Sequence, residues 1–151
     1  MSDNRIVPPA KAGEESVDIR ALARQVEQLM APSREIDCAI FKFLNPKYSS
    51  PNWRIYLDGL RHDGDGSDIR TPPYPKLPYY TRSFEAAMTL VPKRFAGNWD
   101  MRLRNNDAYR VELYEPSHEI QGRGRSLACA LLAASLRAIS ETLSSSQSEG
   151  T

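Results

Sequence analysis

The stretch that decides the fold is NWDMRLRNNDAYRVELYE, residues 98–115. Apolar and polar residues alternate on each side of the Asn-Asn-Asp segment at 105–107, which is the pattern of two half-buried strands joined as a hairpin. The apolar positions are Trp99, Met101, Leu103, Tyr109, Val111 and Leu113. Because helical patterns lie before and after this hairpin, the chain is predicted to pack helices on a small antiparallel sheet.

Apolar residues at helical spacing predict helices in the flanking segments. One helix is expected from about Asp18 to Met30, and a second is expected from after Ser33 to Asn45. In the segment 79–92, apolar residues at i, i+3, i+4 and i+7 predict a short core helix that begins after a Thr or Ser cap and ends before Pro92. A last, alanine-rich helix is expected from near Ser126.

These elements predict a single α+β domain over residues 16–143, with helices on a small, mainly antiparallel sheet. Residues 1–15 and 144–151 are polar or irregular in composition and are predicted to be a disordered arm and a disordered tail. Residues 46–78 hold six of the eleven prolines and are predicted to be a loop. Within this loop, NWRIYLDGL at 52–60 is predicted to form one short strand.

Composition narrows the functional classes. Twenty basic residues against nineteen acidic residues give a net charge of +1, so no global field favours nucleic acid or an anionic membrane. No apolar run approaches the roughly 18 residues of a membrane helix, and the first residues lack the apolar segment of a signal peptide. Cys38 and Cys129 fall in predicted helices and are expected to be buried apolar side chains. We therefore expect a soluble, cytoplasmic protein.

The segments PSREIDCAI at 32–40, YYTRSFEAAMTLVP at 79–92 and SLACALLAASLRA at 126–138 follow one another in an order that resembles the phage α-β-α sandwich domain family. The resemblance covers roughly residues 18–140. It departs from the family pattern in the proline-rich insertion at 46–78 and in having Arg125–Ser126 where relatives tend to have Thr-Pro. It implies a sandwich-like fold and an origin in phage or prophage DNA, and thus a bacterial host cytoplasm. It implies no reaction.

The sequence contains no recognisable catalytic or metal-binding motif. His62 and His118 lack the spacing of a zinc site, and DGDGSD at 63–68 lacks the glycine and glutamate positions of an EF-hand loop. No nucleophile elbow is present. We therefore predict no metal, no cofactor and no catalytic residue, and we favour a binding function over an enzymatic one.

The candidate ligand-binding residues are Arg102, Arg104, Arg123, Gly124, Arg125 and Ser126. In QGRGRS at 121–126, glycine N–H groups and arginines at the start of the last helix are able to bind an anion, although the same segment is typical of a charged flexible connector. Arg102 and Arg104 share a predicted strand face, where Tyr114 would allow stacking on a base and Glu112 would instead give an ordinary ion pair.

Three functional hypotheses follow. The first is a non-enzymatic phage or prophage accessory protein that binds a macromolecule, with a protein partner favoured over nucleic acid. The alternative is a binder of a nucleotide or another small anion at the arginines. The second alternative is an uncharacterised enzyme.

Overall fold

A computed structural model describes residues 18–62, 75–95, 97–104, 108–116 and 118–150. In these residues the helices are α1 (Ile19–Glu27), α2 (Arg34–Leu44), α3 (Phe84–Met88) and α4 (Leu127–Gly150), and the strands are β1 (Trp53–Tyr56), β2 (Gly59–His62), β3 (Trp99–Arg104), β4 (Ala108–Glu115) and β5 (His118–Gly124). The predicted α+β class is confirmed. The arm predicted at 1–15 and the acidic segment DGDGSD at 63–68 lie outside the described residues.

Strands β3, β4 and β5 form an antiparallel sheet in that order. The register pairs Trp99 with Leu113 and Met101 with Val111, so the predicted hairpin is confirmed. Strand β5 was not predicted. The prediction of a flexible connector at 121–126 is wrong for residues 121–124, which belong to this strand. The apolar or small residues at 120, 122 and 124 alternate with polar residues, which is a strand pattern once glycine is counted as a core-facing residue.

Helix α4 packs directly on the buried face of this sheet, where Val111 and Leu113 have no exposed surface. The contact is close because a glycine on β5 faces alanines on the helix. A Cβ atom at Gly122 would lie 2.3 Å from the backbone N of Ala134 and 2.4 Å from the carbonyl O of Ala130. The alanine-rich face of α4 and the glycines of β5 therefore form one backbone-to-backbone contact, which fixes the helix over the sheet.

Helix α4 is longer than the sequence indicated, since it continues to Gly150 through the segment predicted as a tail. Its window Leu127–Ser144 has a mean hydropathy of 1.3, which is sufficient by composition and length for a membrane helix. This corrects the expectation that no such stretch exists. However, 61% of that window is buried within the fold, as is typical of the central helix of a globular core.

The segment 79–92 forms the short capped core helix that its pattern predicted. The Ser83 side chain caps α3 by accepting a hydrogen bond from the N–H of Ala86, and Ala87 is buried. Thr81 has a different role. Its N–H and its hydroxyl both donate to Oδ1 of the buried Asp37, at 2.8 and 2.9 Å, so Thr81 joins this segment to α2.

The segment 52–60 is not one strand. It forms β1, a reversal at Leu57–Asp58 and the first residues of β2, and the register pairs Tyr56 with Gly59. The chain turns here because the backbone at Gly59 passes against the segment that follows the loop. The N–H of Leu60 donates to the carbonyl O of Pro75 at 3.0 Å, and a Cβ atom at Gly59 would lie 2.3 Å from that same oxygen. The predicted loop at 46–78 thus contains a supported hairpin.

Candidate functional site

The sheet register brings arginines from three strands into one row. Arg102 on β3 pairs with Arg110 on β4, and Arg110 pairs with Arg123 on β5. Residues directly opposite each other on antiparallel strands share a face of the sheet, with Cβ atoms about 5 Å apart. This face is opposite to the one that buries Val111 and Leu113 under α4. We call Arg102, Arg110 and Arg123 the arginine row.

Two further candidate residues lie next to the arginine row, on the side away from Glu112. Arg104 pairs with Ala108 at the end of β3, and Arg125 follows β5 directly and is exposed. Arg110 was not predicted from the sequence as a candidate binding residue. The signal that identifies it is the register of the predicted hairpin, because a turn at 105–107 places residue 110 opposite residue 102.

The next row of the same face is acidic. Asp100 pairs with Glu112, and Glu112 pairs with Gln121. The Nη2 of Arg110 lies 3.1 Å from Oε2 of Glu112 on the same strand, and the exposed fractions of the two side chains are 18% and 13%. The Nε of Arg110 is buried and has no hydrogen-bond partner among the described residues. Glu112 therefore offsets the charge of the central arginine and leaves the flanking Arg123 exposed to solvent.

The register bears differently on the two predicted alternatives for this face. Glu112 lies directly opposite Asp100 and diagonal to Arg102, so the ion pair across the hairpin stays a prediction. Tyr114 lies four positions along β4 from Arg110, which is about 13 Å at the rise of a strand. It is too far along the strand to stack a base that is held by the arginine row.

Gly124 and Ser126 have structural roles at the start of α4. A Cβ atom at Gly124 would lie 2.8 Å from the backbone N of Ala130, so the glycine allows the close approach of helix and strand. The Ser126 hydroxyl accepts a hydrogen bond from the Cys129 N–H at 3.1 Å and caps the helix. Close packing thus explains Gly124, and helix capping explains Ser126. Neither role explains the arginines, which remain the candidate binding residues.

The outer edge of β5 is closed by an ion pair between α1 and α4. The guanidinium of Arg137 donates to both oxygens of Glu27, at 2.5 and 2.9 Å, and also to the carbonyl O of Gln121 at 3.0 Å. The N–H of Arg123 donates to Glu27 at 3.0 Å. Glu27 and Arg137 thereby satisfy two outward-facing backbone groups of an edge strand, which blocks its pairing with another chain. We call these two residues the edge clamp.

The electrostatics of the edge clamp favour its charged state. Burial alone raises the pKa of Glu27, but the hydrogen bonds from Arg137 and from the Arg123 N–H, with the two positive charges, bring it below its ordinary value. The hydrogen bond to Glu27 raises the pKa of Arg137 despite its partial burial. Because the backbone N–H of Arg123 is held by the edge clamp, the position of this residue in the arginine row is fixed.

The described residues offer little support for catalysis. Burial raises the pKa of both thiols, Cys38 and Cys129, which disfavours their reactive thiolate forms. In the described ranges, no three His, Cys, Asp or Glu side chains converge as metal ligands would. Two cavities, of about 360 and 380 Å³, lie at the C-terminal half of α4 and beside α1, and neither is lined by a residue of the arginine row.

Comparison with protein family models, with curated proteins and with solved structures finds no match to this chain. The resemblance of residues 18–140 to the phage α-β-α sandwich domain family therefore stays a prediction.

Proposed function

We propose that this chain is a non-enzymatic phage or prophage accessory protein that binds an acidic surface of a protein partner through the arginine row. The observation that carries the proposal is the register, which aligns Arg102, Arg110 and Arg123 across three adjacent strands on the face of the sheet opposite to α4. The phage or prophage origin is supported by the resemblance of residues 79–92 and their flanking segments.

The alignment of the arginines is unfavourable for the isolated chain. Like charges directly opposite each other on neighbouring strands destabilise a sheet. Glu112 offsets the charge of Arg110. An acidic partner would relieve the repulsion, and the planar guanidinium group suits such a contact because it forms paired hydrogen bonds with a carboxylate.

The form and charge of the face favour a protein partner over a nucleic acid. Asp100 and Glu112 form the next row on the same face, two positions along each strand from Arg102 and Arg110. These acidic residues interrupt the run of basic residues that a phosphate backbone crossing the face would contact. A protein surface is able to place acidic groups on the arginine row and basic groups on the acidic row, and such complementarity gives specificity. A sheet face also fits a protein surface better than it encloses a small ligand.

The test is retention of bacterial proteins on the immobilised chain after nuclease treatment of the lysate, with quantification by mass spectrometry. R102E/R123E reverses two charges of the arginine row, and R20E/R24E reverses two exposed charges on α1 as a matched control. Parent and control should retain the same acidic proteins, and R102E/R123E should lose them. Equal retention by all three chains, or a parent that retains only nucleic acid before the nuclease step, would contradict the proposal.

A further inference from the structure

The hairpin of β1 and β2 exposes apolar side chains at its tip. Leu57 is 80% exposed, and the neighbouring Ile55 and Tyr56 are 38% and 43% exposed. Leu57 also has a φ of 54°, in the left-handed region that is unfavourable for residues with a large side chain. Two-residue hairpin turns with a positive φ at the first central position usually place glycine there. Position 57 therefore combines backbone strain with exposure of a leucine to water.

The surrounding structure holds this tip in place. The N–H of Leu77 donates to the carbonyl O of Asp58 at 2.9 Å, next to the contact between Gly59 and Pro75. At the base of the hairpin, the ring of Trp53 packs edge-on against Tyr48, with centroids 4.8 Å apart. Strained residues persist where their surroundings over-determine them, and such positions cluster at binding sites. The tip is thus an exposed apolar turn whose backbone is tied to the segment at 75–77.

The same chain carries an apolar groove of about 360 Å³. The groove lies between the end of α2, the turn that follows α3 and the C-terminal half of α4. Its apolar lining consists of Leu44, Leu90, Val91, Pro92, Ile139 and Leu143. Its volume is at the lower end of the range for ligand pockets, which suits one or two apolar side chains.

We propose that the tip of the hairpin inserts into the apolar groove of a second copy of this chain, with Leu57 as the central side chain. The charges fit this arrangement. Lys93 lines the groove, is exposed and has no ion-pair partner among the described residues. Asp58 sits beside Leu57, and its side chain is 58% exposed; among the described residues its one ion pair is a 3.5 Å surface contact with Lys76. Lys93 is therefore positioned to bind the carboxylate that enters with the tip.

The contact is head-to-tail, because one copy contributes the tip and the other contributes the groove. A contact of this kind forms a closed ring where the rotation between copies closes, and an open chain of copies where it does not. The proposed contact uses neither the arginine row nor the edge clamp, so it is independent of the proposed function.

Sedimentation velocity of the full chain over a range of concentrations tests this proposal. The parent should self-associate as its concentration rises. L57D, which alters the tip, and L143D, which alters the groove, should each weaken association by at least about tenfold, the equivalent of losing one buried leucine. M30D is the matched control, since Met30 is 73% exposed and belongs to neither surface; it should behave as the parent does.

Two further samples distinguish loss of the contact between copies from damage to the fold of the chain. A mixture of L57D and L143D keeps one intact groove and one intact tip, so the two variants should associate with each other although each alone does not. L57G removes the strain together with the side chain, and it should raise the melting temperature while abolishing association. A parent that stays monomeric at every concentration overturns the proposal. So does an L57G or L57D chain that associates as the parent does, or a mixture that stays monomeric.

Discussion

The carboxylate of Glu27 joins α1 to both α4 and β5, and its replacement by glutamine should destabilise the fold in a pH-dependent way. Glu27 accepts two hydrogen bonds from Arg137 and one from the N–H of Arg123. The exposed fractions of the two ionic side chains are 29% for Arg137 and 21% for Glu27, so the pair lies between an exposed and a buried ion pair. We expect E27Q to reduce the free energy of unfolding at neutral pH by about 2 kcal/mol.

The sign of the pH dependence follows from the lowered pKa of Glu27 in the folded state. Because the folded pKa is below the unfolded value of about 4.3, the carboxylate stabilises the fold above that pH. This stabilisation is lost as the pH falls through the folded pKa. The difference in stability between parent and E27Q should therefore be largest near neutral pH and should shrink in acid.

Urea unfolding followed by circular dichroism, measured from neutral pH into the acid range, checks both parts of the prediction. E119Q removes an exposed carboxylate from β5, the strand that Glu27 contacts, and serves as the control, with an expected change within about 0.5 kcal/mol. A double-mutant cycle with R137M should give a coupling energy of about 1–2 kcal/mol. Parent and E27Q curves that run parallel down to acid pH would refute the reasoning, as would a coupling energy near zero.

Three substitutions test the packing and capping, each by the same unfolding assay. G122A should destabilise the fold by about 3 kcal/mol, because the new Cβ atom would lie 2.3 Å from the backbone N of Ala134; a change below 1 kcal/mol would contradict the close contact. T81V should cost about 2 kcal/mol, because Asp37 loses a buried hydrogen bond from the hydroxyl, whereas unchanged stability would exclude this role. S83A should cost about 1 kcal/mol through loss of the α3 cap, and the prediction is wrong if S83A is as stable as the parent.

Local sequence patterns were sufficient to predict much of the fold. The boundaries of α2 followed from Ser33, whose hydroxyl caps the helix, and from Asn45–Pro46, where it ends. The β3–β4 hairpin followed from strict alternation. These features depend on interactions between residues that are near each other in the chain, which is why spacing alone reveals them.

The features that the sequence did not predict depend on distant contacts. Strand β5 was missed because its core-facing positions include Gly122 and Gly124, whose small size makes sense only against the backbone of α4. The reversal at Leu57 was missed because a leucine with positive φ contradicts turn preferences, and its conformation depends on the distant segment at 75–77.

The candidate site was predicted in part. The sequence identified Arg102 and Arg123 as candidate binding residues, but it placed Arg123 in an anion-binding loop rather than in a strand. Without β5, no register connected the two residues, and Arg110 between them was not considered. A site on a sheet face depends on which strands pair and in which register. The pairing of β4 with β5 could not be predicted, because the turn between them was not recognised in the sequence.

The most direct test of the proposed function is an NMR titration of the ¹⁵N-labelled chain with a polyglutamate peptide and, separately, with a single-stranded oligonucleotide of equal length. The proposal predicts that the peptide shifts the backbone amides around Arg102, Arg110 and Arg123, leaves those of Arg20 and Arg24 unchanged, and binds more tightly than the oligonucleotide. Shifts that spread over all basic residues, or tighter binding of the oligonucleotide at the arginine row, would contradict it.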